Sequence, residues 1–160
     1  MMPEAIVLRI ATPEADSADM AAITHIRTAV VENHLSVEQM AAVGITPESI
    51  ARLLRTSGRA WIGAIGGVDA GFAIADAAEA TVFGMFVLPS HEGRGLGRRS
   101  MEQAEAWLFA SGCRALWLST DADPKVRAHG FYRRLGWTPD GMTVGVDGSP
   151  EVRYVKRRAP

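Results

Sequence analysis

The chain has 160 residues, of which 48% are hydrophobic, and its 17 Lys and Arg residues nearly balance its 18 Asp and Glu residues. This length predicts one domain with a sizeable core, and the balanced charge excludes the strongly basic surface of a general nucleic-acid binder. The single cysteine excludes a disulfide framework and a cysteine metal site, and no apolar run approaches ~18 residues, so we expect a cytoplasmic protein without metal or membrane segment.

The N-terminal third predicts one strand followed by three helices. A short apolar run is typical of a strand, and isoleucine and valine residues at helical spacing predict the first helix. A Ser-x-x-Gln capping box then predicts a second helix, and a Thr-Pro pair opens a third. The predicted elements are the strand Ile6–Ile10, a helix to about Val31, a short helix after Ser36, and a helix from Thr46 to about Arg55.

The rest of the chain predicts mainly strands, interrupted by two helices. A Gly-Gly turn joins two apolar runs as a β-hairpin, and the next run, apolar on both faces, is typical of a central strand. We therefore expect an α/β fold of the mixed α+β kind. The predicted elements are the strands Ala60–Ile65, Gly71–Ala75, Thr81–Leu88 and Leu116–Leu118, a helix ending at Gly112, a helix over Pro124–Leu135, and a terminal hairpin of Thr143–Val146 and Val152–Val155.

A glycine-rich loop follows the central strand and leads into the helix that ends at Gly112. Gly93, Gly95 and Gly97 expose backbone N–H groups, because no Cβ obstructs a ligand there. The positive end of the helix macrodipole lies at the same place. Together with the charges of nearby arginines, these groups predict a pyrophosphate-binding loop. The arginines are Arg94, Arg98 and Arg99.

Other interpretations of this loop compete with that prediction. Glycine at a strand–helix corner can be purely steric. A Gly-x-Gly-x-x-Gly dinucleotide fingerprint needs a glycine where Arg98 stands, although Asp121 lies at about the distance of its acidic residue. A P-loop needs a Gly-Lys-Ser/Thr segment, which this loop lacks.

The loop resembles motif A of the GNAT acyl-CoA N-acyltransferases, Arg/Gln-x-x-Gly-x-Gly/Ala, preceded by a strand that ends in Val-x-Pro. Glu92 departs from the motif, because it stands at the Arg/Gln position. We expect Glu92 to point away from a pyrophosphate and Arg94 to supply the charge instead. The matching residues are Val87, Pro89, Gly95 and Gly97.

A second segment strengthens the resemblance. Residues Ala128 to Trp137 are similar to motif B of the same family, Ala-x-x-Phe-Tyr-x-x-x-Gly-Phe. Lys125 departs from the motif, because it stands where the family has an asparagine that contacts the pantetheine arm. The two motifs together cover residues 81–137, with a predicted strand between them.

The resemblance implies a central mixed, mostly antiparallel sheet flanked by helices, with splayed central strands, over residues 1–160 as one N-acetyltransferase domain. It implies acetyl-CoA as the cosubstrate, with strand backbone beside the pantetheine and loop amides around the pyrophosphate. Tyr132 is implied as the general acid for the leaving thiolate. The implied cofactor-binding residues are Met85, Phe86, Val87, Gly93, Arg94, Gly95, Leu96, Gly97, Arg98 and Tyr132.

The resemblance further implies direct attack of a primary amine on the thioester in a ternary complex, with no covalent intermediate. We expect a small amine or an amino-acid-like acceptor, with a protein N-terminus or lysine as the alternative. The strand before the loop carries no carboxylate, so the general base must come from elsewhere. The candidates are Glu32, His34 and Asp76, followed by Glu79 and Asp121.

Two other function classes stay open. A catalytically silent acyl-CoA-binding sensor or scaffold of the same fold is compatible with Lys125 and with the missing strand carboxylate, whereas Tyr132 favours an enzyme. A nucleotide or dinucleotide enzyme rests on the glycine loop alone. The resemblance implies a homodimer, because homodimers are common in the family, although no residue pattern here establishes one.

Overall fold

The computed structural model describes residues 4–32 and 34–160 of the chain. The strands are β1 (Ile6–Ile10), β2 (Gly58–Ile65), β3 (Val68–Asp76), β4 (Thr81–Val87), β5 (Ala115–Asp121), β6 (Thr138–Val144) and β7 (Pro150–Arg157). The α-helices are α1 (Ala18–Ala29), α2 (Val37–Ala42), α3 (Pro47–Thr56), α4 (Leu96–Ala110) and α5 (Ala128–Arg134). No helix in the described ranges is long and apolar enough to cross a membrane.

The strands form one sheet in the order β1-β2-β3-β4-β5-β7-β6. Neighbouring strands run antiparallel except β4 and β5, which are parallel. The central position of β4 agrees with its apolar residues on both faces. The prediction of a mixed, mostly antiparallel sheet with helices is therefore confirmed.

Helices cover both faces of the sheet, because successive strand residues point to opposite sides. On one face, Ile62 and Phe72 pack in a core cluster with Ile23 of α1, and α3 adds to the same cluster. On the other face, Trp61 packs in a cluster with Met101 of α4, which α5 also joins. The sheet thus separates a face covered by α1 and α3 from a face covered by α4 and α5.

The first helix is fixed to the sheet at its N-terminus. The Ser17 side chain caps α1 by accepting a hydrogen bond from the Met20 backbone N–H at 3.1 Å. Asp19 accepts a hydrogen bond from the Thr12 backbone N–H at 2.8 Å and pairs with Arg9 at 2.9 Å. The Thr12 N–H and the Arg9 guanidinium hold the pKa of Asp19 below its ordinary value. These contacts hold α1 over β3 and β4.

One predicted helix boundary is wrong. The last helix begins at Ala128 rather than at Pro124, because Asp123 forms a turn before it. The Asp123 carboxylate accepts the Lys125 N–H at 3.0 Å, and the Asp123 carbonyl accepts the Val126 N–H at 3.1 Å. This local turn satisfies N–H groups that the predicted first helical turn would have left open.

The remaining elements are confirmed with shifts of a few residues. Both predicted caps form, at Ser36 before α2 and at Thr46 before α3, each as a reciprocal capping box. The largest shift is in β6, which begins at Thr138 rather than Thr143. The strand starts early because it pairs with β7 on both sides of an irregularity at residues 139–142.

Candidate active site

The two central strands, β4 and β5, are joined at one end and diverge from there. Trp117 donates from its backbone N–H to the Ala80 carbonyl at 3.0 Å, and the Thr81 hydroxyl donates to the Trp117 carbonyl at 2.7 Å. Within the described residues, Thr81 and Trp117 are the one paired position of these two strands. The edge of β4 beyond Thr81 therefore faces a gap, where its backbone polar groups are open to an extended ligand.

A β-bulge lies in β4 beside this gap. Val82 is opposite Ala75 and Gly84 is opposite Ile74, so Phe83 has no partner position in β3. The Phe83 side chain is 44% exposed. Because a bulge bends its strand and increases the local twist, it contributes to the divergence of β4 from β5.

The glycine-rich loop lies beyond the end of β4 and leads into α4. Gly93 and Gly95 have φ angles of 75° and 88°, and no described residue beyond their chain neighbours has an atom within 4 Å of where a Cβ would project. The backbone conformation, rather than crowding, therefore requires glycine at these two positions. Gly95 is the N-cap of the 15-residue helix α4 and supplies no capping side chain. The first N–H groups of α4 are consequently open to an anion.

Two cavities meet at the gap between β4 and β5. The first, which we call the loop cavity, has a volume of about 510 Å³ and lies beside the glycine loop and α5. The second, which we call the helix cavity, has a volume of about 680 Å³ and lies between the α1–α3 region and the ends of β5, β6 and β7. A ligand in one cavity can reach a ligand in the other, because they share part of their lining. The shared residues are Val31, Val82, Phe83, Gly84, Phe86, Ser119 and Thr120.

Nine of the ten residues predicted to bind the cofactor line the loop cavity. They are Met85, Phe86, Val87, Gly93, Gly95, Leu96, Gly97, Arg98 and Tyr132. The tenth, Arg94, is outside this lining, and its guanidinium pairs with the Glu4 carboxylate at 3.2 Å. Leu96 also anchors the loop to the sheet, because its side chain packs closely over Gly71 of β3. A Cβ at Gly71 would lie only 2.9 Å from this side chain.

Glu92 lines the loop cavity rather than pointing away from it, and an arginine neutralises it. The Arg127 guanidinium donates to the Glu92 carboxylate at 2.5 Å, and its Nε lies 3.8 Å from the Glu32 carboxylate. The hydrogen bond to Glu92 raises the pKa of Arg127. Arg127 therefore offsets the negative charge that Glu92 would otherwise present to a phosphate.

Tyr132 reaches the loop cavity from α5. Its side chain is buried and packs against Trp137 and Tyr154, with ring-centroid distances of 6.3 and 5.9 Å. Its hydroxyl makes no hydrogen bond among the described residues. Burial raises the pKa of Tyr132 above its ordinary value, so the phenol keeps its proton at neutral pH. A protonated hydroxyl in this position can donate to a bound ligand.

Three of the predicted base candidates face a cavity. Glu32 lines the loop cavity, where Arg127 partly offsets its charge. His34 and Asp121 line the helix cavity. The Nδ1 of His34 lies 3.0 Å from the Val30 carbonyl, so a neutral ring carries its lone pair on Nε2.

The other two base candidates, Asp76 and Glu79, line neither cavity. Asp76 instead accepts hydrogen bonds from the Ser57 hydroxyl at 2.7 Å and from the Ala78 backbone N–H at 3.0 Å, which fix the turn after β3. Among residues 4–32 and 34–160, no three His, Cys, Asp or Glu side chains are placed to hold a metal ion together.

Glu151 is a carboxylate of the helix cavity that the sequence analysis missed. It lies on β7 directly opposite Asp121 of β5, so both side chains are on the same face of the sheet. Its Oε1 accepts a hydrogen bond from the Ser119 hydroxyl at 2.5 Å, and no cation pairs with it in the described part of the chain. Its position follows from the pairing of β7 with β5, which no motif signals, because the second motif ends at Trp137.

The family model described as "Acetyltransferase (GNAT) family" matches residues 25–137 of the chain. This stretch is well over half of the chain. It contains both resemblance motifs, the glycine loop, α4, α5 and all the residues that line the loop cavity.

Solved structures share this fold at low sequence identity. A protein of the GNAT family from Desulfovibrio desulfuricans has a TM-score of 0.74 and 18% identity, covering 96% of this chain and 99% of its own. The yncA protein of Salmonella typhimurium, solved with its cofactor acetyl-CoA, has a TM-score of 0.70 and 21% identity over 98% of each chain. The ribosomal-protein-S18-alanine N-acetyltransferase of Escherichia coli has a TM-score of 0.67 and 22% identity over 94% of each chain.

Proposed function

Because the chain belongs to the GNAT acetyltransferase family, we propose that it transfers an acetyl group from acetyl-CoA to the primary amine of a small or amino-acid-like acceptor. We also propose that the 160 residues work as one domain, since β1 and β7, outside the matched range, belong to the same sheet. A cytoplasmic location and a homodimer stay predictions.

The gap between β4 and β5 is the observation that carries this proposal. It places the unpaired edge of β4 beside the loop cavity at one side and opens into the helix cavity at the other. An extended cosubstrate and a separate acceptor therefore have adjoining places, and their reacting atoms would meet near Phe83 and Gly84. Such an arrangement favours direct transfer within a ternary complex.

The loop cavity has the groups that an acetyl-CoA molecule needs. The pantetheine would lie along Met85–Val87 like an added strand. The pyrophosphate would accept hydrogen bonds from the backbone amides of residues 93–98, at the positive end of α4, with Arg98 nearby. The charge of Glu92 does not oppose this binding, because Arg127 pairs with it.

The transfer needs one proton removed and one proton supplied. The amine nitrogen attacks the thioester carbonyl, the C–N bond forms, the C–S bond breaks, and the thiolate leaves. An amine with a pKa near 10 must lose a proton at pH 7, which costs about 4 kcal/mol. Glu151 would accept that proton in the helix cavity, with Asp121 directly opposite it, and Tyr132 would donate one to the leaving thiolate.

A calorimetric titration with acetyl-CoA, with NAD and ATP as controls, tests the cosubstrate. We expect selective binding of acetyl-CoA, and tighter binding of NAD or ATP would overturn the assignment. Release of free CoA thiol is then measured with a panel of small amines, amino acids, a peptide with a free N-terminus and a peptide with an internal lysine. Acceptor-dependent release with the small amines or amino acids supports the proposal, and release with the peptides alone would move the acceptor to proteins.

A catalytically silent acyl-CoA-binding module is the second candidate. Two features of the sequence favour it, namely Lys125 at the family's asparagine position and the absence of a carboxylate from β4. The same experiment separates the two functions. Selective acetyl-CoA binding without thiol release for any amine would support the silent module.

A further inference from the structure

One cation in the helix cavity, Arg27, lacks a counter-charge among the residues that the structure describes. Arg27 lies in the last turn of α1 and lines this cavity. Its Nη1 atom is buried without a hydrogen-bond partner, and no ion pair reaches its guanidinium within the described residues. Burial lowers the pKa of Arg27 below its ordinary value, yet an arginine stays charged in proteins.

Packing alone does not satisfy this side chain. The guanidinium carbon lies 4.2 Å from the centroid of the Phe86 ring, which is a cation–π contact. The ring supplies no oxygen atom to accept from the five guanidinium N–H donors. Leaving a buried donor of a charged group unpaired is costly, so the arrangement suits a site that an anionic ligand completes.

The opposite charges lie on the other side of the same cavity. Arg27 stacks on Phe86 of β4, whereas Asp121 and Glu151 lie on β5 and β7, beyond the gap. The two carboxylates are directly opposite each other on one face, an arrangement that repels in the absence of a cation. A ligand with an anion toward β4 and an ammonium group toward β5 would complement both sides.

The loop cavity does not need Arg27 for its own anions. Arg27 is outside the lining of the loop cavity, whereas the glycine-loop amides and Arg98 belong to it. An anion bound at Arg27 would therefore belong to the acceptor and not to the phosphates of acetyl-CoA. Since a guanidinium fork matches a carboxylate in a bidentate way, a carboxylate is the fitting group.

We propose that Arg27 binds the carboxylate of the acceptor, so that the protein acetylates amines that carry a carboxylate, as amino acids do. This inference rests on the proposed acetyltransferase function and specifies its substrate class. Arg27 is the specificity-determining residue in it. The amino group of the bound acceptor then lies on the side of Asp121 and Glu151.

Matched pairs of acceptors test whether the protein prefers amines that carry a carboxylate. Glycine, methionine and phenylalanine are compared with their carboxamides, and kcat/KM is measured by CoA thiol release. The free acids should be the better acceptors although their amines are more basic, and Arg27→Gln should lower kcat/KM for the acids by about 10- to 100-fold. For the carboxamides, Arg27→Gln should change kcat/KM by less than about threefold. Arg27→Lys should keep part of the preference for acids.

Arg52 provides the matched control. It is an exposed arginine on α3 that lines neither cavity, so Arg52→Gln should leave both acceptor series unchanged. Acetyl-CoA affinity, measured by calorimetry, should be equal in wild type and Arg27→Gln, which also shows that the variant is folded. An equal loss on acids and carboxamides would assign Arg27 a packing role and overturn the proposal while leaving the acetyltransferase function intact.

If no acceptor supports turnover, a binding experiment tests whether Arg27 binds a carboxylate. N-acetylmethionine and N-acetylphenylalanine, with their carboxamides, are titrated into the protein in the presence of CoA. If the acids bind, and if Arg27→Gln weakens this binding about tenfold or more, the result supports the carboxylate site independently of catalysis. Absence of binding, or equal binding by the carboxamides, overturns the inference, whereas failed turnover with intact acid binding counts against the proposed function alone.

Discussion

Tyr132 and Tyr154 are two buried tyrosines with different surroundings. Comparing them tests the donation of a proton to the leaving thiolate. Tyr132 lines the loop cavity, and its hydroxyl is without a hydrogen bond among the described residues, whereas the Tyr154 hydroxyl lies 2.7 Å from His129 Nδ1 and outside both cavities. Tyr132→Phe should lower kcat by about 10²- to 10⁴-fold, because the thiolate loses its proton donor, with acetyl-CoA affinity nearly unchanged.

Tyr154→Phe is the matched control for that prediction. It should lower the free energy of unfolding by about 1 kcal/mol through the lost hydrogen bond and leave kcat unchanged. Steady-state kinetics, acetyl-CoA calorimetry and denaturant unfolding measure the three quantities. A Tyr132→Phe enzyme with the kcat of the wild type would exclude the general-acid role.

Glu151 is the second residue whose charge should matter to catalysis. Glu151→Gln keeps the size of the side chain and its hydrogen bond from Ser119 while removing the negative charge. We expect kcat/KM for the amine to fall about 10- to 100-fold at pH 7, because the acceptor ammonium loses a proton acceptor. The deficit should shrink as the pH approaches the amine pKa of about 10, where the acceptor is already neutral.

Glu102→Gln is the control for Glu151→Gln. Glu102 is exposed on α4, pairs with Arg98 at 3.0 Å and lines neither cavity. At saturating acetyl-CoA, which removes any effect that acts through Arg98 on cosubstrate binding, Glu102→Gln should leave kcat/KM for the amine unchanged at every pH. A Glu151→Gln deficit that stays constant with pH would indicate a structural effect and contradict the role as base.

At the scale of elements, the glycine loop and the β2–β3 turn contain comparable glycines with different surroundings. Gly95 and Gly67 have φ angles of 88° and 81°, and at neither position does a described residue beyond the chain neighbours place an atom within 4 Å of a Cβ. Gly95→Ala and Gly67→Ala should therefore destabilise the protein equally, by about 1 to 2 kcal/mol. Gly95 alone lines the loop cavity, so only Gly95→Ala should weaken acetyl-CoA binding, by about tenfold or more.

Calorimetry with acetyl-CoA and chemical unfolding of the two glycine variants separate strain from ligand contact. Equal acetyl-CoA affinity in both variants would remove the loop from the binding site. A larger loss of stability in Gly95→Ala would mean that the α4 N-terminus adds strain beyond the φ angle itself.

Elements whose signals are local could be predicted from the sequence. The caps at Ser36 and Thr46 each involve residues three apart, and both helices begin where the sequence predicts, although the sequence analysis predicted a capping box at Ser36 alone. The glycine loop and the helix after it depend on backbone conformation within a few residues, and the sequence placed them correctly. The predicted start of α5 was wrong because an aspartate can cap a helix or form a local turn. The Asp123 side chain accepts the Lys125 N–H and forms a turn.

Features that depend on strand pairing could not be predicted in the same way. Glu151 enters the helix cavity only because β7 pairs with β5 in a register that puts it opposite Asp121. No local pattern marks Arg27, whose Nη1 atom is buried only because α1 packs so that the guanidinium lies over Phe86. The neutralisation of Glu92 by Arg127 joins residues 35 positions apart. Such contacts require the folded sheet, and the sequence carries no local signal for them.

At the scale of the whole molecule, a largely buried ion pair joins α4, β7 and the end of α5. Glu105 of α4 pairs with Lys156 of β7 at 2.5 Å and accepts a hydrogen bond from the Trp137 indole at 3.1 Å. Lys156 also donates to the Leu135 carbonyl at 2.7 Å, at the end of α5. The Glu105 side chain is 10% exposed and the Lys156 side chain 28% exposed, so both charges are largely removed from water.

Breaking this pair should destabilise the fold far more than breaking an exposed pair on the same helix. Glu105→Gln leaves the Lys156 ammonium without a counter-charge and should lower the free energy of unfolding by about 2 to 3 kcal/mol. Glu102→Gln removes the exposed pair with Arg98 and should cost less than about 0.5 kcal/mol. In urea unfolding, the double variant Glu105→Gln with Lys156→Met should recover part of the loss, because no charge is then left unpaired. Additive losses in the double variant would contradict this, and would mean that the two side chains stabilise the fold through their separate contacts with Trp137 and Leu135.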